Sequence, residues 1–392
     1  MVVTADRSST RVVIITWYVL LMASIGALHP FFSMVLARRG MGDSAITVTL
    51  AFFPAGTLLA GPLWSAIADR MSAIARLLTI ATCSAALMAV GLALSQSWLP
   101  LLLFSLGLAV SRAPVTPMVD VLTLRWLGSR PNAYGRVRAF GSAAFVVVVL
   151  TLGLAVEEQP NIGIQMSALG MLLLVPTTVL LLRQTREHHG NGGAPIPWRD
   201  FSVLLREPGM PLFWIGAILH GITLSSYDHL FSLHFERLGL APSLTSLAIT
   251  TGVGIEILVM WLGIRLLDRT SPRRLLLIAV FSGFPRWLVT GLSTEPAILI
   301  GAQALHGVGF GLWWVSGVSF LNANVRRELG NTAQSLFLAT TFGIGSLLAM
   351  SLATVTVPAL ETGGHFLALA PLSVVSGAIL WRAFRSPVFR AR

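Results

Sequence analysis

The sequence predicts an all-α, polytopic membrane protein whose twelve transmembrane helices form two pseudo-symmetric bundles of six. Three observations predict this fold. First, 55% of the 392 residues are hydrophobic and only 11% are charged, whereas a soluble domain carries about 25% charged residues. Second, apolar runs of about 20 residues recur along the chain, and each can cross a hydrocarbon core about 30 Å thick. Third, the arginines cluster in alternate segments between these runs.

The apolar runs define the predicted spans. The polar residues 4–11 lead directly into the first run without a secretory cleavage pattern, so we expect this first helix to be retained. Strands of a membrane β-barrel alternate in polarity over roughly 10 residues, and these runs do not. The predicted spans lie near residues 13–36, 45–67, 74–94, 98–123, 134–156, 161–182, 211–235, 243–267, 273–292, 296–322, 332–355 and 358–381.

The distribution of positive charge predicts the orientation. All 27 basic residues are arginine, and the net charge is +11. With the N-terminus inside, 22 arginines fall on the cytoplasmic side and only Arg38, Arg39 and Arg237 fall outside. This asymmetry predicts two cytoplasmic termini in a bacterial cytoplasmic (inner) membrane. The positive charge then faces anionic lipid of the bilayer and does not indicate nucleic acid. Cys83 is the single cysteine, which excludes an intrachain disulfide.

A long polar segment divides the predicted spans six and six. It predicts an N-terminal bundle at 1–182, a cytoplasmic linker at 183–210 and a C-terminal bundle at 211–392. Within the linker, residues 198–205 have an apolar face that predicts a short interfacial helix. Asp69-Arg70 follows the second span and Asp268-Arg269 follows the eighth, 199 residues later. Such an internal repeat is typical of transporters that bind their substrate near the bilayer midplane.

Several stretches of the chain carry a resemblance to a known family. The chain resembles the major facilitator superfamily, and within it the phenylpropionate permease-like branch, which is related to lactose permease-type proton symporters. The resemblance implies a secondary active transporter that works by alternating access and takes up a small organic solute with protons. We expect no cofactor, and a monomer suffices for this architecture. The stretches are GALHPFFSMVL, GPLWSAIADR, TPMVDVLTL and YGRVRAFGSAAF in the first half and GIEILVMW, PRWLV and QALHGVGFG in the second.

Ionisable residues near the midplane are the first candidates for the site. Counted from the predicted span ends, Glu256 is about 17 Å deep, Arg286 about 20 Å and His306 about 15 Å. A lone charge at the bilayer centre costs roughly 2.5–3.5 kcal/mol by insertion scales, so such groups face the bundle interior and pair with one another. We therefore expect Glu256 to pair with Arg286 or His306. The alternative is a permanent structural ion pair between two spans.

The resemblance implies that Glu256, Arg286 and His306 form a proton-coupling site. Lactose permease-type symporters place a Glu, an Arg and a His in the three corresponding helices. Their sugar symporters also carry a second carboxylate three residues after the histidine, and here that position is Gly309. Glu256 would then bind both proton and substrate, or the coupling would differ or be absent.

A second group of residues is predicted to bind the substrate. Arg112 lies about 21 Å from the outer face, and His29, before a predicted kink at Pro30, lies about 24 Å from the inner face. Two cations at mid-depth favour an anionic or polyhydroxylated solute. The aromatic residues and the resemblance favour an aromatic carboxylate such as a phenylpropionate, with a sugar or nucleoside as the alternative. For the aromatic residues, packing between helices is the competing interpretation. The candidates are His29, Arg112, His220, Tyr227, Gln303, Phe310 and Trp313.

Charges at the inner ends of the spans are predicted to form a cytoplasmic gate, because interface charge pairs bias a rocking transition. The alternative is a solvated basic loop. Asp228, about 26 Å from the inner face, is either an outer gate or simply solvated. The gate candidates are Asp69, Arg70, Asp120, Arg136, Arg138, Asp268 and Arg269.

Two other function classes compete with uptake. An exporter or proton antiporter for hydrophobic compounds uses the same fold, and a membrane sensor that transports nothing is a further alternative. The sequence has no Walker A motif, no His-Glu-x-x-His, no Gly-x-Ser-x-Gly and no Cys/His metal cluster, so we do not expect an enzyme.

Overall fold

The computed structural model of the chain describes residues 7–71, 74–128, 133–185, 198–326, 329–386 and 389. Within these ranges the side chains of 7, 61–63, 65–71, 133, 198–201, 264 and 331 are not described. All the regular elements in the described ranges are helices. The all-α fold predicted from composition and apolar runs is therefore confirmed.

Two compact units make up the chain. The first comprises residues 1–41 and 52–195, and the second comprises 42–51 and 196–392. The chain passes from one unit to the other at 195–196, inside the segment 183–210 that the sequence analysis treats as a linker. The sequence analysis did not anticipate that residues 42–51 group with the second unit.

Eight helices begin within the described residues of the first half of the chain. The predicted kink at Pro30 is confirmed, because α1 ends at Leu28 and α2 begins only at Phe32. The fourth predicted span is also interrupted, at residues 113–114, where Pro114 cannot donate a backbone hydrogen bond. The helices are α1 Arg7–Leu28, α2 Phe32–Arg38, α3 Asp43–Met71, α4 Ile74–Leu94, α5 Trp98–Arg112, α6 Val115–Leu127, α7 Ala133–Glu158 and α8 Ile162–Gln184.

In the first unit α1 packs against α7 and α8, and α4 packs against α5 and α8. Polar side chains connect α1 to α8 inside this apolar packing. Ser24 Oγ donates to the backbone oxygen of Ser167 at 2.9 Å, and Trp17 Nε1 donates to Thr178 Oγ1 at 3.0 Å. These hydrogen bonds fix the rotation of α1, which ends at the break that carries His29.

The second half of the chain contains α9 to α16. A helix forms at α9, where the short linker helix was predicted, and its Leu204 is buried in the core of the second unit. The bounds are α9 Trp198–Arg206, α10 Met210–Arg237, α11 Pro242–Arg269, α12 Pro272–Phe281, α13 Gly283–Leu292, α14 Pro296–Asn324, α15 Gly330–Leu338, a π-helical turn at Ala339–Ile344, and α16 Gly345–Phe384.

The long helices of the second unit are not regular throughout. Ser282 separates α12 from α13, and its Oγ donates to the backbone oxygen of Ala279 at 2.7 Å. The 40-residue α16 leaves helical geometry at Glu361, whose φ is 59°. The π-helical turn lies against α10, where a Cβ on Gly221 would come within 2.2 Å of the backbone oxygen of Thr341. Helix α10 therefore needs a glycine at this contact.

The structure supports the predicted number of twelve membrane crossings only in part. Ten segments of the described chain are long and apolar enough to cross a membrane. Helix α10 is not among them, although its 28 residues are long enough. The last segment, Thr332–Phe384, has 53 residues, more than one crossing needs, and it contains the turn at Glu361. Twelve spans therefore remains a prediction.

Candidate functional site

Arg286 is the centre of a buried cluster in the second unit. It lies in the first turn of α13, just after the break at Ser282, and is only 2% exposed. Its guanidinium carbon is 4.2 Å from the centroid of the Tyr227 ring and 4.1 Å from that of the Trp287 ring. Aromatic faces attract a cation in this geometry, and more strongly where water is excluded. The two rings therefore hold the guanidinium in place.

A neutral amide completes the contacts of Arg286. Its Nη2 donates to Gln303 Oε1 at 2.9 Å, and its Nε donates to the same oxygen at 3.3 Å. The Gln303 side chain is in turn oriented by Nε2, which donates to the backbone oxygen of Leu299 at 2.9 Å. Gln303, predicted as a substrate ligand, is fully buried in this structure.

The expected ion pair between Glu256 and Arg286 is not formed. Within the described ranges Arg286 makes no salt bridge, and the acceptor that it uses is Gln303. Helix periodicity predicted a similar depth for Glu256 and Arg286, but it does not determine which side chains meet across a helix interface. Glu256 lies instead where α11 packs on α14, since a Cβ on Gly307 would come within 2.5 Å of the Glu256 backbone nitrogen.

Asp228 is the carboxylate that the sequence analysis left undecided. It lies on α10 and interacts electrostatically with both Glu256 and Arg286. Position 309, where related sugar symporters carry a second carboxylate, is packed against α12 in this chain. A Cβ there would lie 3.1 Å from Ser282 Oγ and 3.3 Å from the Ala279 oxygen. The carboxylate that interacts electrostatically with Arg286 therefore lies on α10, and its side chain is exposed. The sequence indicated it by an aspartate inside an apolar run.

Histidine and tyrosine side chains surround the same region. The rings of Tyr227 and His306 are 4.5 Å apart, and those of His306 and Phe310 are 5.8 Å apart. Several polar atoms of this group are buried without a hydrogen-bond partner in the described part of the chain, including Tyr227 Oη, His306 Nδ1 and both ring nitrogens of His220. Unpaired buried polar atoms are costly, so a site with several of them is suited to a hydrogen-bonding solute.

Trp313 belongs to the core of the second unit. Its position agrees with the competing interpretation of the sequence, in which the aromatic residues pack between helices. It is fully buried, and its ring lies 4.5 Å from His220 and 5.2 Å from Phe337. No face of this ring is open to a ligand in the structure. Phe310, one helical turn earlier, is only partly buried.

In the first unit, His29 and Arg112 form a second polar pair. Arg112 Nη2 donates to His29 Nε2 at 2.7 Å, so that Nε2 is the acceptor, because a guanidinium has no acceptor atom. The His29 ring is 5.2 Å from the ring of Phe53. The sequence analysis placed His29 and Arg112 at different depths and did not anticipate this contact. The breaks beside both residues and the length of the arginine side chain bring them together.

The predicted gate residues are brought together only in part. Arg138 and Asp120 form a salt bridge at 3.1 Å, and Tyr18 donates to Asp120 at 2.6 Å. The side chains of Asp69 and Arg70 lie outside the described residues. In the second half of the chain, Arg326 lies 3.7 Å from Glu207. The remaining candidates are exposed: Arg136, Asp268 and Arg269.

Comparisons with known proteins agree with this architecture. The model of the MFS_1 like family matches residues 12–355. The maltose permease of Geobacillus stearothermophilus is 25% identical over 365 residues, which cover 93% of this chain and 92% of the relative. The probable 3-phenylpropionic acid transporter of Escherichia coli (strain K12) is 28% identical over 339 residues, 84% of this chain and 86% of the relative.

Solved structures show the same fold. The crystal structure of the nucleoside transporter NupG matches with a TM-score of 0.85 at 16% identity, over 96% of this chain and 99% of that chain. A POT family transporter in complex with 5-aminolevulinic acid matches with a TM-score of 0.76 at 12% identity, over 97% and 96% of the two chains. At these identities the likeness concerns the fold alone.

Proposed function

Since the chain belongs to the MFS_1-like family and is therefore a membrane transporter and not an enzyme, we propose that it takes up a small aromatic carboxylate, such as a phenylpropionate, together with a proton. The relative from Escherichia coli that is named for 3-phenylpropionic acid supports this substrate class. The relative named for maltose supports the alternative considered below.

One observation carries the proposal of an anionic substrate. Arg112 and Arg286 both lie within segments that are apolar enough to cross a membrane, and within the described ranges neither forms a salt bridge with a carboxylate. Their hydrogen-bond partners are the neutral side chains of His29 and Gln303. A cation in the membrane is costly without a counter-charge, and Asp228 interacts with Arg286 electrostatically without forming a salt bridge with it. The carboxylate of a solute supplies that charge, and the rings near each arginine offer apolar contact to the rest of the solute.

The carboxylates Glu256 and Asp228 are the proposed proton site. They interact electrostatically with each other, and the repulsion between two like charges favours protonation of one of them. When an anionic solute binds near Arg286, protonating one carboxylate keeps the net charge of the cluster constant. Coupling of proton and anion follows from this balance. The ring of His306 lies 4.5 Å from the Tyr227 ring, which the Arg286 guanidinium also contacts.

The proposal is tested with purified protein in liposomes that contain a pH-sensitive dye. External 3-phenylpropionate or cinnamate is expected to acidify the interior, and Glu256→Gln is expected to abolish the response. Glu295→Gln, which removes an exposed carboxylate outside the cluster, serves as the matched control and should respond like the wild type. A full response in Glu256→Gln would remove Glu256 from the coupling mechanism. Acidification only when substrate is loaded inside would indicate export.

The unpaired polar atoms of Tyr227, His220 and His306 favour a second candidate substrate. A sugar carries many hydroxyl groups and would pair with these atoms. Adding maltose and a nucleoside in the same liposome assay separates the two candidates. Acidification by maltose and silence with both aromatic acids would contradict the carboxylate proposal and leave the transporter assignment unchanged.

A further inference from the structure

A cavity of about 380 Å³ lies in the second unit where α10 begins and α16 ends. This volume falls in the range of pockets that hold small ligands, about 300–1,000 Å³. The wall depends on Gly209, whose φ is 88°. A Cβ there would lie 2.4 Å from Phe389 Cε2 and 3.0 Å from Ser386 Cβ, so no other residue allows this close approach. The lining residues are Gly209, Leu212, Arg382, Ala383, Arg385 and Ser386.

The cavity carries two positive charges, and none of its lining residues in the described ranges is acidic. Arg382 and Arg385 are both exposed, and within the described part of the chain neither is in a salt bridge. The Arg385 guanidinium carbon lies 3.4 Å from the centroid of the Trp381 ring, which restricts its orientation. Glu207, two residues before Gly209, is paired with Arg326 and does not neutralise the cavity. The site is therefore suited to an anion.

Apolar side chains continue from this charged end along the membrane segment. Trp381, in the last turns of α16, is 47% exposed, and Ile215, one turn above Leu212 on α10, is 46% exposed. The segment that contains Trp381 is apolar enough to cross a membrane and ends at Phe384. Tryptophan is enriched where such a segment meets the head groups of the lipid. An anion that carries a hydrocarbon chain fits this surface better than a free anion does.

We propose that this cavity binds the phosphate head group of an anionic phospholipid. The phosphate oxygens accept hydrogen bonds from the Arg382 and Arg385 guanidinium groups, and an acyl chain follows Ile215 and Trp381 into the bilayer. With the predicted orientation of the chain, this lipid belongs to the cytoplasmic leaflet, where anionic head groups attract basic residues. The site is independent of the transported solute.

The proposal is tested by native mass spectrometry of the purified full chain in a neutral detergent. It is titrated separately with phosphatidylglycerol, phosphatidylcholine and inorganic phosphate. Phosphatidylglycerol is expected to bind with saturation and phosphatidylcholine much more weakly. The double variant Arg382→Gln/Arg385→Gln is expected to lose about 25-fold in affinity, roughly fivefold for each arginine. A second variant, Leu212→Phe, fills the cavity without changing its charge and should also weaken binding.

Arg265→Gln is the matched control. Arg265 is also an exposed arginine stacked on a tryptophan, 5.5 Å from the centroid of the Trp261 ring, but it does not line the cavity. Its loss should leave the affinity for phosphatidylglycerol unchanged. Equal losses in Arg265→Gln and the double variant would show a general charge effect and overturn the proposal. Full competition by inorganic phosphate would also overturn it, in favour of a free-anion site.

Discussion

At the scale of single residues, Arg38 and Arg39 are exceptions to the charge asymmetry, because they lie on the predicted outer side. Both donate hydrogen bonds to specific acceptors. Arg39 Nε and Nη2 donate to Asn161 Oδ1 at 2.9 and 2.7 Å, and its Nη1 donates to the backbone oxygen of Ser95 at 3.0 Å. Partial burial lowers the pKa of Arg39 below its ordinary value. Arg38 donates to the backbone oxygen of Val156 at 3.1 Å. These hydrogen bonds explain why arginines persist on the predicted outer side.

Removal of the Arg39 guanidinium should destabilise the first unit. Arg39→Gln loses a charged fork that connects three inter-helix segments, and we expect the free energy of unfolding to fall by about 2–4 kcal/mol. Arg39→Lys keeps the charge but not the planar fork, and should be intermediate. Thermal unfolding in detergent ranks the stability of the wild type, Arg39→Lys and Arg39→Gln. Arg76→Gln changes an exposed arginine and should leave the melting temperature as it is; a larger drop there than in Arg39→Gln would contradict the argument.

A second prediction at the residue scale concerns the role of Asp228 in proton coupling. Asp228→Asn keeps the size of the side chain and removes its charge next to Glu256 and Arg286. If the two carboxylates share the coupled proton, we expect substrate-driven proton uptake to fall at least about tenfold, the equivalent of 1.4 kcal/mol. Proton uptake into dye-loaded liposomes measures the effect. Wild-type coupling in Asp228→Asn would show that Glu256 acts without it.

At the scale of helices, breaks in the spans adjoin the polar residues of both units. His29 follows the end of α1, Arg112 is the last residue of α5, and Arg286 lies in the first turn of α13. Interrupted helices at membrane depth are typical of transporter sites, because the freed backbone groups are available there. Only the break at Pro30 was predicted from the sequence. The sequence analysis missed the break at Ser282, although Gly283 and Pro285 follow it directly. Proline cannot donate the backbone hydrogen bond that would continue the helix there.

A prediction at the scale of helices concerns Gly307, at the contact between α11 and α14. A Cβ on Gly307 would lie 2.5 Å from the Glu256 nitrogen and 2.5 Å from the Gly252 oxygen, both backbone atoms. We therefore expect Gly307→Ala to separate the two helices, to destabilise the protein by about 1–3 kcal/mol and to impair proton coupling. Gly301 lies on the same helix with nothing within 4 Å of its Cβ position. Gly301→Ala should be neutral in thermal unfolding and transport, and equal damage in both variants would contradict the argument.

At the scale of the whole molecule, the charge asymmetry predicts which ends of the helices face the cytoplasm. Cys83 is the single cysteine, so Cys83→Ser provides a background for single-cysteine labelling. Ser44 and Ser271 are exposed residues at opposite predicted sides. We expect a membrane-impermeant maleimide to label Ser44→Cys in intact cells and Ser271→Cys only after permeabilisation. The reverse pattern would invert the orientation.

The sequence predicted which residues belong to the site better than it predicted their contacts. Residue type and position inside an apolar run singled out Glu256, Arg286, His306 and Arg112, because a charge in a membrane span is rare. Their partners could not be predicted in the same way. Rotation about each helix axis and the breaks in the spans decide contacts, and neither is encoded in a simple period of 3.6 residues. For this reason the expected ion pair between Glu256 and Arg286 is absent, and Arg286 donates to Gln303 instead.

The sequence by itself determined the all-α membrane class, the approximate positions of the apolar spans and the family to which the chain belongs. These properties depend on composition and run length, which sum over many residues and tolerate local exceptions. Only the tertiary structure decided that Arg286 lies between Tyr227 and Trp287, that His29 meets Arg112 and that Trp313 is core. Such contacts depend on a few ångströms of helix packing, which residues far apart in the sequence determine together.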